Sequence, residues 1–212
     1  KDEVIRLWFL EKSALKRCIN RDYINMLEAL VRLDALEEAE QLLKEWETSD
    51  NCYDIRVPYI VIIGYIDKKL YDKAESMLED LSTKGNILTP NIWGRLASGY
   101  LDNDKFEKAA KCIKVALSLK KDSKGWKPDL KVVMRILSLF GENGCVNEAE
   151  SFLHSLRPIV ALNREMYHIL LKSYIAGGKE VEILLNTMRD DNIDENEETK
   201  LILGMQKMRF NS

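Results

Sequence analysis

A chain of 212 residues with 46% hydrophobic and 32% charged side chains has enough apolar content to fold around a core and too much to stay disordered. Its net charge of −3 excludes a uniformly basic nucleic-acid-binding surface but leaves room for a local basic stripe. No run of eighteen apolar residues is present to span a membrane, and four prolines and ten glycines are few, as a mostly helical chain requires.

The first stretch, Val4 to Leu15, is apolar on nearly two faces and reads as the second helix of a preceding unit, residues 1–19. That much apolar surface predicts further repeats, or a partner, upstream. From Asn20 a pattern begins and recurs. Tyr23, Met26, Leu27 and Leu30 give one amphipathic helix; Leu36, Ala39, Leu42, Leu43 and Trp46 give a second. The second-helix pattern of an apolar residue, Ala three positions on, then an apolar pair, returns around Ala74, Ala109 and Ala149, spacings of 35, 35 and 40. A weaker fifth copy holds Val181, Leu184, Leu185 and Met188. Offsets of three, four and seven lie on one helical face, where the small Ala lets a neighbouring helix approach closely.

The remaining units follow in order. In 55–89, Pro58 suits a first helical turn and Ile62, Tyr65 and Ile66 form the inner stripe. Unit 90–129 opens on Thr89-Pro90, a cap followed by proline, and carries Trp93, Leu96, Ala97 and Tyr100. Its long connector, Lys120 to Asp129, accounts for the 40-residue spacing. Unit 130–163 has Val133, Ile136, Leu137 and Phe140, with Gly141 and Gly144 at the turn; unit 164–196 has Tyr167, Leu170, Leu171 and Tyr174, with Gly177-Gly178 as a helix stop. Residues 197–212 begin a further unit. A single hairpin cannot bury its own apolar face, but stacked hairpins can, so the fold class is all-α: a right-handed superhelical α-solenoid of helix-turn-helix repeats of about 35 residues, the first helices lining its concave side.

Charge is unevenly placed. Lys105 to Arg135 holds ten basic residues against three acids, a net +7, whereas Glu28 to Asp54 is −7 and Lys179 to Glu198 is −6. Lys108, Lys111 and Lys114 recur every three residues along a second helix; Lys120, Lys121, Lys124, Lys127 and Lys131 follow, with Trp126 among them as a possible stacking ring. These lysines are candidate phosphate contacts, blind to sequence, on the side of the repeats away from the usual groove. A solvated lysine face is the alternative. The four cysteines form no CxxC and no zinc spacing, which predicts reduced thiols; His154 and His168 sit on different helices, and no phosphate loop or nucleophile motif occurs. No catalytic site, metal, cofactor or small-molecule substrate is expected.

With its period near 35 and its Leu-x-x-Ala-x-x-Leu-Leu second helix, the chain resembles pentatricopeptide-repeat proteins of the P class. Arg6-Leu7-Trp8, Glu45-Trp46-Glu47, Asp54-Ile55-Arg56-Val57-Pro58, Lys84-Gly85, Trp93 with Gly99-Tyr100, Trp126-Lys127-Pro128 and Glu148-Ala149-Glu150 resemble a land-plant organellar, mostly mitochondrial, subgroup. The tetratricopeptide pattern of Trp-Leu-Gly-Tyr and a late Pro does not recur. The resemblance implies binding of organellar RNA, one base per repeat. Its base-reading positions fall early in each first helix, at Ile24, Tyr59, Gly94, Met134 and His168, and at each repeat end, at Asp54, Thr89, Asp129, Asn163 and Asn196. Shifting the alignment by one residue gives Asn25, Ile60, Arg95, Arg135 and Ile169. Ile, Gly and Met have no side-chain group to pair with a base edge, and Asp, Asn and Thr ahead of helices are also what capping selects. Weak or lost sequence readout follows. Three functions are consistent: a scaffold of a mitochondrial ribosome or similar ribonucleoprotein, touching RNA and neighbouring proteins; a single-stranded RNA binder acting on organellar transcripts; and a protein-only adaptor. Mitochondrion, with plastid as second location, rests on the resemblance.

Overall fold

The computed structural model describes residues 1–15, 17–119 and 125–209, with side chains as far as residue 204. Among the described residues there are twelve α-helices and no strand. They form two compact units, 1–88 and 89–212.

The first unit holds α1 (Asp2–Ala14), α2 (Asn20–Arg32), α3 (Leu36–Glu47), α4 (Arg56–Asp67) and α5 (Tyr71–Thr83). α2 pairs with α3 and α4 with α5; α4 also packs on both α2 and α3. The pattern of small and large residues explains the stacking. Ala39 and Ala74 are fully buried, and Leu42, Leu43, Trp46, Leu78 and Leu81 fill the space beside them. Gly64 on α4 permits one close approach: a Cβ there would sit 3.0 Å from the side chains of Val31 and Leu36. α1 buries Trp8, edge-on to Tyr23 at 5.4 Å, and leaves Leu7, Phe9 and Leu10 at least half exposed.

The second unit holds α6 (Pro90–Asp102), α7 (Phe106–Ser118), α8 (Leu130–Glu142), α9 (Val146–Leu156), α10 (Arg164–Ala176), α11 (Glu182–Asp190) and α12 (Glu197–Arg209). First helices touch in succession, α6 to α8 to α10 to α12, and second helices α7 and α9 touch each other. Ala109 and Ala149 are again fully buried at the centre of this packing. Gly141 lies inside α8 instead of at the turn that the sequence suggests. A Cβ there would meet Ser173 Oγ of α10 at 2.3 Å, so the glycine serves a helix–helix contact.

The hairpin turns share one geometry. Asp34, Lys69, Asp104, Gly144 and Gly178 all adopt positive φ, between 55° and 71°. The next residue's N–H then reaches back five residues to a helix carbonyl: Ala35 to Leu30, Leu70 to Tyr65, Lys105 to Tyr100, Cys145 to Phe140 and Lys179 to Tyr174. This left-handed cap closes the last helical turn and reverses the chain. Only two of the five positions are glycine, so the turn recurs without a glycine signature in the sequence.

Candidate nucleic-acid interface

The lysines of α7 are borne on its outer face because Ala109, Cys112, Ile113 and Ala116 occupy the inner one. Lys111 is exposed. Lys108 is half-buried, its ammonium 5.0 Å from the Tyr100 ring centre and 3.4 Å from the Tyr100 hydroxyl. Lys114 donates to Ser151 Oγ of α9 at 3.0 Å. Lys127 and Lys131 are exposed on the segment leading into α8 and on its first turn. Lys120, Lys121 and Lys124 lie outside the described residues. Glu107, Lys111, Lys114, Phe140 and Glu148 line an open groove of about 690 Å³ between α7 and α9. Its rim mixes both signs of charge, so the basic stripe is bordered by carboxylates.

The repeat-end residues are engaged locally. Asp129 Oδ1 accepts the Lys131 N–H at 2.8 Å, and Asn163 Oδ1 accepts the Met166 N–H at 3.0 Å. Asn196 Oδ1 accepts both the N–H and the hydroxyl of Thr199 at 2.9 Å. Asp54 accepts from the Arg56 backbone and pairs with its guanidinium at 2.6 Å. That guanidinium holds the Asp54 carboxyl below the usual range, although partial burial opposes it. Thr89 stands at the cap position of α6 but makes no capping hydrogen bond through its side chain, in contrast to the capping role its sequence position suggests.

His168 is 3% exposed. Its Nε2 lies 2.8 Å from Thr199 Oγ1, and its Nδ1 faces Glu198 at 3.3 Å. The ring thus joins α10 to α12 instead of presenting an edge to solvent. Asn196, Thr199 and His168 form one hydrogen-bonded chain, which seats the start of α12 against α10.

A second polar system was missed by sequence reasoning. Tyr65 of α4 donates to Glu40 of α3 at 2.5 Å, and Lys73 of α5 lies 3.2 Å from the same carboxylate and 5.4 Å from the Tyr65 ring centre. Tyr174 of α10 donates to Glu150 of α9, with Lys179 4.0 Å from that carboxylate and 5.5 Å from the ring. Related clamps join Tyr23 and Lys12 to Glu45, and Tyr167 and Arg157 to Asp191. Burial, and then the adjoining carboxylate, push the Tyr23, Tyr65 and Tyr167 hydroxyls well above ordinary tyrosine values. The Tyr65 hydrogen bond lowers Glu40 in turn. The signal lay in the sequence as a recurring Tyr in first helices and a Glu one residue after the anchor Ala.

Among the described residues, no group of three His, Cys, Asp or Glu is placed to hold a metal ion, and no helix is long and apolar enough to cross a membrane. What the surface offers is charge, a few aromatic rings and grooves between helices.

Paired helices with buried alanine seams and a repeated left-handed turn define a helical-hairpin repeat protein. Residues 22–50 match the family described as PPR repeat. Beyond that stretch, nearly the whole chain is similar to pentatricopeptide-repeat proteins. It is 48% identical over 205 residues to a pentatricopeptide repeat-containing protein of Arabidopsis thaliana named as mitochondrial, covering 96% of this chain and 42% of that protein. It is 30% identical over 203 residues to the Arabidopsis large ribosomal subunit protein mL101, covering 95% of this chain and 41% of that one. The chain therefore spans about two fifths of these relatives. Two solved structures share the fold: maize PPR10, at TM-score 0.51 and 17% identity over 93% of this chain and 28% of that chain, and the Arabidopsis nuclear protein-only RNase P 2, at 0.53 and 14% over 88% and 41%.

Proposed function

We propose that this chain is part of a P-class, non-enzymatic scaffold that contacts organellar RNA within a mitochondrial ribosome or similar ribonucleoprotein. Its working units are the five repeats 20–54, 55–89, 90–129, 130–163 and 164–196. The observation that carries the reading is the state of the base-reading positions. Asp129, Asn163 and Asn196 are engaged in helix capping, His168 is buried, and Gly94 has no side chain. Sequence readout by base edges then has few groups to use. Exposed Lys111, Lys127 and Lys131 can meet phosphates without reading bases. The similarity to a large ribosomal subunit protein supports the ribosomal setting, and the relatives named as mitochondrial support that compartment. Acidic surfaces such as the stretch from Glu28 to Asp54 are suited to basic neighbouring proteins. Binding of a single-stranded transcript is the second reading, supported by the cavity beside Gly94 and Asp129.

The test is ultraviolet crosslinking in organelles, with the crosslinked RNA sequenced. Ribosomal RNA should dominate, and replacing Lys111, Lys127 and Lys131 together by Glu should lower its recovery by about tenfold, as expected for the loss of about three phosphate contacts. A defined messenger footprint that shifts on Asn163→Ala favours the second reading. No RNA at all identifies a protein-only adaptor.

A further inference from the structure

Two of the tyrosine clamps bracket a small well between α9 and α11, floored by α10. At one end Tyr174 donates to Glu150; at the other Tyr167 donates to Asp191, which also holds Arg157 at 2.5 Å. The Thr187 hydroxyl is turned back onto its own helix, donating to the Ile183 carbonyl at 2.9 Å. Between these paired groups the lining is apolar. Leu153, Leu170 and Leu184 are buried, and Ile183 stands at the mouth, 71% exposed. The well has a volume of about 220 Å³.

We infer that this well is a docking site for a lysine- or arginine-rich segment of a neighbouring protein, which plugs one aromatic or large aliphatic side chain into it. The choice of a protein neighbour rests on the scaffold reading and deepens it. Size points to a single anchor: a cavity of about 150 Å³ is enough to take benzene, whereas whole small molecules need ~300–1,000 Å³. Chemistry points to an apolar one. The polar groups at both ends already have partners, so an incoming donor or acceptor would be buried against carbon. Charge points to a basic segment around the anchor. Lys179 to Glu198 carries eight acids against two basic residues, a net −6, and Glu180, Glu182 and Asp190 are exposed on α11 and the segment before it. Such a field repels RNA and anionic lipid and draws a cationic peptide. The cations beside the well, Arg157 and Lys179, are offset by the clamp carboxylates they lie against. The exposed Ile183 then has a use: it closes over the anchor and keeps water from it.

The test measures binding of the intact protein to three synthetic peptides of equal length: a lysine-rich peptide with one central phenylalanine, the same peptide with alanine in its place, and a glutamate-for-lysine version that keeps the phenylalanine. The phenylalanine peptide should bind about tenfold tighter than its alanine counterpart, as burial of one large apolar side chain requires. The glutamate version should bind more weakly than either. Two variants at exposed positions separate the contributions. Ile183→Ala should lose about threefold on the phenylalanine peptide and nothing on the alanine peptide. Glu180→Gln with Asp190→Asn should weaken both lysine peptides alike, and so should added salt. Equal binding of the phenylalanine and alanine peptides overturns the inference, as does an equal loss on both for Ile183→Ala. A glutamate peptide that binds as tightly as the lysine one overturns it too, and so does a single-stranded RNA that displaces the phenylalanine peptide. A concentration-dependent dimer that Ile183→Ala dissolves would assign the well to a second copy of this chain instead. Peptides that fail to bind while ribosomal RNA crosslinks persist remove the docking site alone. Anchored peptide binding by a protein absent from every RNase-sensitive particle removes the scaffold reading and leaves the site.

Discussion

Where α4 and α5 stack on α3, Tyr65, Glu40 and Lys73 make a hydrogen-bonded, charged clamp. Where α8 and α9 stack on α7, the same register holds Phe140, Ala110 and Glu148. The tyrosine and its acid are lost together, and the seam is apolar instead: Phe140 packs edge-on to Phe106 at 5.4 Å and beside Phe152 at 6.2 Å. Beside this seam the second helices leave the groove that Lys111 and Lys114 border. One repeat geometry thus tolerates two kinds of fastening. A lone partner would not be tolerated, because a buried carboxylate without its donor, or a buried hydroxyl without its acceptor, costs more than a matched pair of apolar groups.

The largest effect that breaks this comparison is removal of the aromatic seam. Phe140→Ala should cost about 3–5 kcal/mol in denaturant unfolding, since Phe140 is 4% exposed and its removal leaves a cavity among packed rings. A loss below about 1 kcal/mol would show that the groove side already lets water reach the ring.

A transplant sharpens it. Ala110→Glu alone should destabilise by about 1–2 kcal/mol, by placing a carboxylate at a buried position. Adding Phe140→Tyr should recover about 1 kcal/mol of that loss, measured as a double-mutant cycle. Strict additivity would mean that the two seams differ in backbone placement as well as in side chains.

The smallest effect is titration of the clamp. The Tyr65 hydrogen bond first, and Lys73 after it, hold Glu40 below the ordinary glutamate value, against partial burial. A carboxyl lowered in the folded state contributes stability above its unfolded value and loses it as pH falls through the folded one. Tyr65→Phe should therefore cost about 1 kcal/mol near pH 7, and the gap from the parent should close as pH drops below about 4. A gap unchanged at pH 3 would show that the tyrosine stabilises by packing alone.

The helices and core were legible because their cause is local. Ala39, Ala74, Ala109 and Ala149 repeat at helical spacing, and each is fully buried. The clamps were not, because Glu40 and Tyr65 lie 25 residues apart and meet only once hairpins stack. Their trace is the joint switch from Glu and Tyr at 40 and 65 to Ala and Phe at 110 and 140, and back at 150 and 174. His168 was misleading for a related reason. Its first-helix register suggests an exposed reader, but α12 covers that face and its Thr199 claims the ring. Gly141 read as a turn residue because glycine often marks turns; here the close approach of Ser173 sets the requirement.

An RNA-contacting scaffold of a large ribonucleoprotein travels with its particle. Sedimentation of organelle lysate, with and without RNase and magnesium chelation, tests it most directly. The protein should travel with ribosomal subunits and shift when they come apart. Small particles that are indifferent to both treatments would contradict it.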